Sequence, residues 1–347
     1  MRVSVIVPTY NEAKTLPLLV PRVRAALPDA EIVVVDDAST DGTADVARGL
    51  GACVIERRGE RGLSTAVLRG IGEASCDVCV VMDADLSHPP EAIPALVRAV
   101  EDGAEVAVGS RYVPGGDIDG WTPLRRLMSK AGTMLARPLT AVRDPLAGFF
   151  CVRKSRLKDV ELRPRGFKIL LEILARTRER RTVEVPIVFA DRAAGESKFG
   201  PPERREYARQ LWALYRDLNA WPLRLAKFLM TGASGYVAHI AILCAMVEWA
   251  GLAPMVGAVV AFSAAMTSNY AINRAWTFRA RAAPVAPSFA LYAIGALGGL
   301  GAQLAIMWAL ARFHYVIGAS LGIMAGTAFT YLTSDRLAFR NPRPPDK

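Results

Sequence analysis

Over residues 3–195 the chain alternates short β-branched apolar runs with longer segments whose apolar positions recur at helical spacing. The runs at 3–7, 31–35, 52–55, 78–82 and 106–109 predict strands, and the segments 12–27, 41–50, 62–74 and 90–101 predict the helices between them. Strands that are apolar throughout are buried on both faces, so this order predicts an α/β domain with a largely parallel sheet between helical layers. Asp41-Gly42-Thr43 and Ser87-His88-Pro89-Pro90-Glu91 mark helix entries, each with a capping residue or proline ahead of an apolar pattern.

The pattern changes near Lys227. Four apolar stretches follow, at 228–247, 255–273, 289–310 and 316–332, each close to the roughly 20 residues that cross a bilayer core. Arg274, Arg279 and Arg281 lie between the second and third, and Arg336, Arg340, Arg343 and Lys347 follow the fourth. The first-to-second connection has no basic residue and the third-to-fourth only Arg312. Positive charge marks the cytoplasmic side, so four spans with both termini in the cytoplasm are expected, a multi-pass protein of the cell membrane. The first apolar run is too short for a signal peptide, which agrees with that topology. The expected layout is a soluble α/β domain at 1–202, an interfacial amphipathic region at 203–223, an all-α transmembrane domain of four helices at 224–338 and a tail at 339–347.

Two basic amphipathic segments, 122–140 and 203–223, set arginines beside Leu, Met, Trp and Tyr at helical spacing, a composition suited to a helix lying in a membrane interface. The second runs directly into apolar sequence and is the stronger case. Gly295 and Gly299, and Gly318, Gly322 and Gly326, recur every fourth residue and read as close helix packing. Asn269, Asn273 and Arg274 read either as contacts to a lipid phosphate or as interhelical hydrogen bonds with a snorkelling arginine.

Charge narrows the partners. With 43 basic against 33 acidic residues the net charge is +10, which suits nucleic acid, an anionic bilayer or a phosphorylated substrate. The basic segments sit beside apolar stretches and no nucleic-acid motif accompanies them, so no nucleic-acid partner is expected. Five cysteines without framework spacing read as free thiols, Cys76-x-x-Cys79 included, since Cys79 falls inside a strand and no second pair exists.

Candidate chemistry gathers where the strands end. Strand one ends in Val7-Pro8-Thr9-Tyr10-Asn11-Glu12, strand two in Val35-Asp36-Asp37-Ala38-Ser39-Thr40-Asp41-Gly42, and the fourth in Val81-Met82-Asp83-Ala84-Asp85-Leu86. Open parallel sheets bind ligands at the carboxyl ends of their strands, and all three endings share that edge. Side chains two apart on a strand project the same way, so Asp83 and Asp85 are expected to reach one hard cation.

In these segments the sequence resembles the family 2 glycosyltransferases, which have the GT-A nucleotide-sugar fold, and more narrowly the dolichol-phosphate mannose synthases. The resemblance runs in order through residues 7–12, 36–42, Gly62-Leu63-Ser64-Thr65-Ala66, 83–91, Val108-Gly109-Ser110-Arg111-Tyr112, Asp144-Pro145-Leu146-Ala147-Gly148-Phe149, 166–173 and Gly195-Glu196-Ser197-Lys198-Phe199. The apolar half is similar to the four-helix membrane module fused to some members.

The resemblance implies a GT-A, Rossmann-like α/β domain followed by a transmembrane domain, an Mg²⁺ or Mn²⁺ ion, GDP-mannose as donor and dolichyl or polyprenyl phosphate as acceptor. It places Pro8, Tyr10, Glu12 and Asp36 or Asp37 around the nucleoside, and Ala84, Arg192 and Lys198 on the rest of the nucleotide. Asp83 and Asp85 fall on the metal, with Ser87 standing where members often carry Gln. Arg111, Arg125 and Ser129 fall on the acceptor phosphate; with Asp85 they form the implied catalytic set. An ionised phosphate needs no general base, so the rate would come from positioning and from stabilising the departing diphosphate. Lys168 and Glu172, four apart, read as a helix ion pair. The nearest alternatives are glucose transfer from UDP-glucose to a polyprenyl phosphate, and a lipid-linked sugar flippase or partner-binding module with an inactive soluble half. A processive polysaccharide synthase is disfavoured by the lack of Gln-x-x-Arg-Trp.

Overall fold

The computed structural model describes residues 2–59, 61–164, 166–177, 181–190, 200–252, 254–279, 283–310 and 315–339. Arg192 and Lys198 lie outside the described residues. The chain divides into two compact units, Met1–Leu218 and Asn219–Lys347.

In the first unit β1 (Val3–Thr9), β2 (Glu31–Asp36), β3 (Cys53–Glu56), β4 (Val78–Val81) and β5 (Val106–Ser110) form where the apolar runs predict them. The pattern leaves β6 (Asp117–Ile118), β7 (Phe150–Arg153), β8 (Thr182–Pro186) and β9 (Val188–Phe189) unmarked: β6 and β9 have two residues each, and β8 alternates polar with apolar positions rather than running apolar throughout. The main sheet has the order β3-β2-β1-β4-β7-β5-β8, and β6 pairs with β9 in a second, two-stranded sheet. Only β7 among the main strands runs antiparallel to its neighbours.

Helices α1 (Leu16–Ala26), α2 (Thr43–Gly49), α3 (Leu63–Glu73), α4 (Ile93–Glu101), α5 (Pro123–Ala136), α6 (Ile169–Thr177) and α7 (Pro201–Asp217) complete the unit. One core cluster joins Leu16, Leu19 and Ile93 to Val5, Val34 and Val80; a second joins Val67, Ile71 and Leu170 to Ile6, Val35 and Val81. Neighbouring strand residues thus alternate between the two layers, which is why these strands are apolar throughout. Cys79 is a free buried thiol, pushed by that burial up to about 12 and so inert.

The basic segment 203–223, suited by composition to a membrane interface, folds differently. Its first part is α7, whose Tyr207, Leu211 and Leu214 are buried against Ala136, Leu171 and Ala175 of the same unit. The unit boundary accordingly falls after Leu218 rather than at 202.

The second unit contains α8 (Trp221–Cys244), α9 (Pro254–Ile272), α10 (Val285–Ala309) and α11 (Tyr315–Thr333), one helix on each apolar stretch. Among the described residues, no helix is long and apolar enough to cross a membrane. Helices α9 and α11 are each 19 residues long and each continue into a five-residue π-turn, Asn273–Thr277 and Ser334–Ala338. Tyr270 and Phe278 of one hairpin recur as Tyr331 and Phe339 of the other, and Phe228 recurs as Phe289. Their ring contacts are reciprocal. Phe228 meets Tyr331 edge-on at 5.4 Å and Phe289 meets Tyr270 edge-on at 5.0 Å, while Phe278 and Phe339 stack at 4.7 Å between them. The four helices are therefore two copies of one hairpin. Gly299 and Gly326 hold α10 and α11 close: a Cβ on either would stand within 2.8 Å of the other's carbonyl oxygen.

Helix α3 lies against the sheet through Gly70, where a Cβ would press into Ile6 and come within 2.9 Å of a Val35 methyl. Gly70→Ala is expected to cost about 1–3 kcal/mol by overpacking and to lower the thermal unfolding midpoint. Gly72→Ala, where a Cβ meets nothing within 4 Å, should not.

Candidate active site

The carboxyl ends of the central strands open into a cavity of about 510 Å³. Three non-glycine residues with left-handed backbone stand at those ends: Asn11 (φ 58°) after β1, Ala38 (φ 54°) after β2 and Leu86 (φ 64°) after β4. Such strain gathers where surrounding structure enforces it, and here hydrogen bonds between the loops do so. Asn11 N–H donates to Ser39 Oγ (2.8 Å), Thr40 N–H to Asn11 Oδ1 (3.0 Å), Glu12 N–H to Thr43 Oγ1 (2.8 Å) and Ala13 N–H to Asp41 Oδ2 (3.1 Å). Burial raises the Asp41 pKa, but the bonds from Thr43 and Ala13 outweigh it and hold the carboxyl below its usual range.

Pro8, Tyr10, Glu12 and Asp37 line one side of the cavity. Asp36 does not: buried, it accepts from Thr9 Oγ1 (3.0 Å), Ser39 Oγ (2.5 Å) and Ser39 N–H (2.9 Å), and so fixes the loop. Asp37 accepts from Arg57 Nε (2.6 Å) and Gly62 N–H (3.0 Å), and Arg57 also donates to Thr65 Oγ1 (2.8 Å). This buried pair anchors the start of α3 and brings Arg61 over the Tyr10 ring at 4.8 Å. Neither Arg57 nor Arg61 is marked by the sequence pattern, because each acts through tertiary partners.

Strand β4 stops at Val81, so Asp83 and Asp85 lie in the following loop and strand alternation does not orient them. The loop nevertheless brings Asp83, Ala84 and Asp85 into the cavity wall. Asp85 Oδ1 accepts from the hydroxyl (2.5 Å) and N–H (3.1 Å) of Ser87. Ser87 itself is buried and outside the lining, so it orients Asp85 rather than facing the cavity. His88 Nδ1 accepts the Asp83 N–H at 3.1 Å, which leaves the imidazole proton on Nε2. Burial pushes its pKa down, keeping the ring neutral where it stacks on Phe149 at 5.3 Å. Gly148 keeps space beside the acids: a Cβ there would come within 3.0 Å of Asp83 Oδ2 and 3.1 Å of His88.

Another part of the lining carries Arg111 and Arg125. Arg111 gives Nε (2.7 Å), Nη2 (2.8 Å) and its backbone N–H (3.0 Å) to Asp144, which is fully buried. Burial opposes the charge on Arg111, but the Asp144 carboxylate more than compensates and raises its pKa. Nη1 is the nitrogen not committed to the aspartate. Arg125, Met128, Ser129 and Gly132 of α5 line the same wall, and Ser129 Oγ accepts from the Tyr112 hydroxyl at 2.7 Å. Lys168, spaced for an ion pair with Glu172, lies before α6 and donates instead to the Leu146 carbonyl (2.9 Å), while Glu172 pairs with Arg176 (3.0 Å). Trp121 and Phe189 also line the cavity without any prior sequence signal, as does Phe167 of the 166–173 segment that carries the resemblance.

The fold and this acid-lined strand edge match a known class. Residues 4–161 fit the model of the glycosyl transferase family 2, and residues 227–344 fit that of the GtrA/DPMS transmembrane domain. A dolichol-phosphate mannosyltransferase from Pyrococcus furiosus is 39% identical over 345 residues, covering 96% of this chain and 97% of that protein. The chain belongs to the dolichol-phosphate mannosyltransferase family. An enzyme of the same name from Saccharomyces cerevisiae is 41% identical over 61% of this chain and 86% of its own length. An undecaprenyl-phosphate mannosyltransferase from Micrococcus luteus is 39% identical over 57% and 87%. Among solved structures, glucosyl-3-phosphoglycerate synthase from Mycobacterium tuberculosis, crystallised with Mn²⁺, UDP and glucosyl-3-phosphoglycerate, has a TM-score of 0.50 at 23% identity over 62% of this chain and 79% of its own. That likeness bears on the fold alone, a GT-A α/β domain.

Removing Asp144 strands a buried guanidinium. Asp144→Ala is expected to destabilise the protein by on the order of 3–5 kcal/mol, read as a lowered thermal midpoint; an unchanged midpoint would contradict the burial of this pair.

Proposed function

We propose that this chain is a membrane-bound inverting transferase that moves mannose from GDP-mannose to dolichyl or polyprenyl phosphate. The observation that carries the reading is that one cavity is lined by Asp83 and Asp85 and also by Arg111 and Arg125. The names of one relative similar along nearly the whole chain and of another similar over 57% of it support mannose and a polyprenyl-type phosphate.

The acid side suits a divalent ion, Mg²⁺ or Mn²⁺. It offers two hard carboxylates, with space preserved at Gly148, and no cluster of three His, Cys, Asp or Glu of metal-holding geometry occurs among the described residues. Asp83 and Asp85 would hold the ion, leaving positions for diphosphate oxygens and water. When bound it would neutralise charge on the departing diphosphate. Ser87 keeps Asp85 turned for that role. Tyr10, Glu12 and Asp37 would take the nucleoside, where carboxylates accept from base and ribose donors. Arg192 and Lys198 belong to the same proposal as contacts to the nucleotide.

On the other side Arg111 and Arg125, with Ser129, would fix the lipid phosphate, for which planar permanent cations are suited. That phosphate is already ionised, so its oxygen attacks the sugar carbon without a base, the C–O bond to the diphosphate breaks, and the anomeric centre inverts. His88 is not needed as a base and spends Nδ1 on Asp83.

Membrane residence has two supports. Leu124, Leu127, Met134 and Leu135 of α5 are exposed beside the cavity, an apolar face fit for the lipid interface. In the second unit Tyr236, Val237, Ile294, Leu297 and Met324 point outward while Asn273, Thr277 and Ser334 are buried, the reverse of a water-soluble bundle. Although no helix is by itself long and apolar enough to cross a membrane among the described residues, the fit of residues 227–344 to the transmembrane-domain model favours placing α8 to α11 across the bilayer, with the catalytic unit and both termini cytoplasmic.

The full chain, given GDP-mannose, UDP-glucose and other nucleotide sugars with a short polyprenyl phosphate and Mg²⁺ or Mn²⁺, is expected to transfer mannose alone. Transfer of glucose in preference would overturn the donor assignment, and no transfer at all would favour a carrier or partner role. Asp85→Ala should lower turnover by about a hundredfold or more; normal turnover would refute the metal assignment. Arg125→Ala should raise the acceptor KM by about tenfold, the loss of a charge-assisted bond, with donor KM unchanged. A purely donor-side defect would move the acceptor site elsewhere.

A further inference from the structure

The two arginines share a neighbour that carries no charge. Trp121 stands between β6 and α5, one residue before the Thr122 cap, and forms part of the cavity wall. The Arg125 guanidinium carbon lies 4.1 Å from its ring centroid and that of Arg111 lies 5.5 Å away. Phe189 meets the indole edge-on at 5.5 Å, and the backbone around Phe189 is pinned on both sides: its carbonyl accepts the Asp119 N–H (2.8 Å), and Ala190 N–H donates to Ser87 (3.1 Å). Nε1 of Trp121 is buried with no hydrogen-bond partner among the described residues, so ring faces and edges, not a hydrogen bond, place the indole.

We infer that Trp121 is the positioning residue of the acceptor-phosphate site, setting the separation and direction of the two guanidinium groups. Arg111 has a second support in Asp144, which takes two of its nitrogens. Arg125 extends from the exposed first turns of α5 on a long flexible side chain, and the indole gives its guanidinium a flat surface to lie on. Without that ring the cation remains, but it no longer spends its time where a phosphate must bridge it to Arg111. The loss therefore falls on acceptor capture, through Arg125, and leaves the nucleotide side untouched.

This rests on the transferase reading above, and the test separates the two. Mannose transfer by the unaltered chain tests the reading. Calorimetric binding of a short polyprenyl phosphate to the full chain, without any donor, tests Trp121 whatever sugar is moved. Trp121→Leu is expected to weaken that binding about five- to tenfold and raise the acceptor KM in step, with donor KM within about twofold. Trp121→Tyr keeps an aromatic face and should recover most of the loss. In an Arg125→Ala background Trp121→Leu should add little, because the residue it positions is gone. Where Trp121→Leu lowers the unfolding midpoint, Trp121→Met, whose unbranched side chain fills irregular gaps, carries the same comparison. Unchanged acceptor binding, an equal rise in donor KM, or the full Trp121→Leu effect persisting without Arg125 would each overturn the inference.

Discussion

The buried pair of Arg111 with Asp144 is the contact on which the rest of the site depends. Asp144 has no exposed surface, and a lone carboxylate or guanidinium there would be strongly unfavourable. Together they lock the exit of β5 to the turn that precedes β7, and Glu184 of β8 accepts the N–H groups of Arg143 and Asp144 from the other side. A cation is thereby fixed at the carboxyl edge of the sheet, facing the loop that carries Asp83 and Asp85. Trp121, Phe189 and α5 assemble around it.

This arrangement brings both charges into one cavity. Carboxylates and short loops, stitched by side-chain hydrogen bonds, occupy the ends of β1, β2 and β4 beside Arg61 and Tyr10, while Arg111, Arg125 and the rings of Trp121 and Phe189 line it beyond β5, with Glu203 and Glu206 of α7. On the proposed function, a polyanionic donor and an anionic acceptor would repel each other in water, and a cation with two guanidinium groups would offset that repulsion where the two meet. The strained residues Asn11, Ala38 and Leu86 stand at the hinges of the acidic side, held by the surrounding bonds before any ligand arrives.

Much of this was legible in the sequence because it depends on local pattern. Continuous apolar runs located the five strands that build most of the sheet, and polar residues just after them located the edge where the cavity opens. The rest depends on tertiary partners. Asp83 and Asp85 reach the cavity although β4 ends before them, since a left-handed turn at Leu86, not strand alternation, directs the loop. Asp36 and Asp37 are indistinguishable in sequence; one is consumed by Thr9 and Ser39, the other faces the cavity beside Arg57. The amphipathic spacing of α7 fits a membrane surface and a protein groove equally, and Tyr207, Leu211 and Leu214 found the groove. Trp121, Arg57 and Arg61 gave no signal because a lone tryptophan or arginine has no periodicity. The repeat of the two hairpins is likewise carried by a few rings and matched π-turns, too sparse to stand out from apolar sequence.

The central claim is that a divalent cation and a lipid phosphate occupy one cavity. Phosphorus relaxation of a short polyprenyl phosphate, bound to the full chain with GDP and Mn²⁺, measures this directly. Strong paramagnetic enhancement of the phosphate signal that disappears in Asp85→Ala is the expected result. A bound phosphate whose relaxation ignores the manganese would contradict the account.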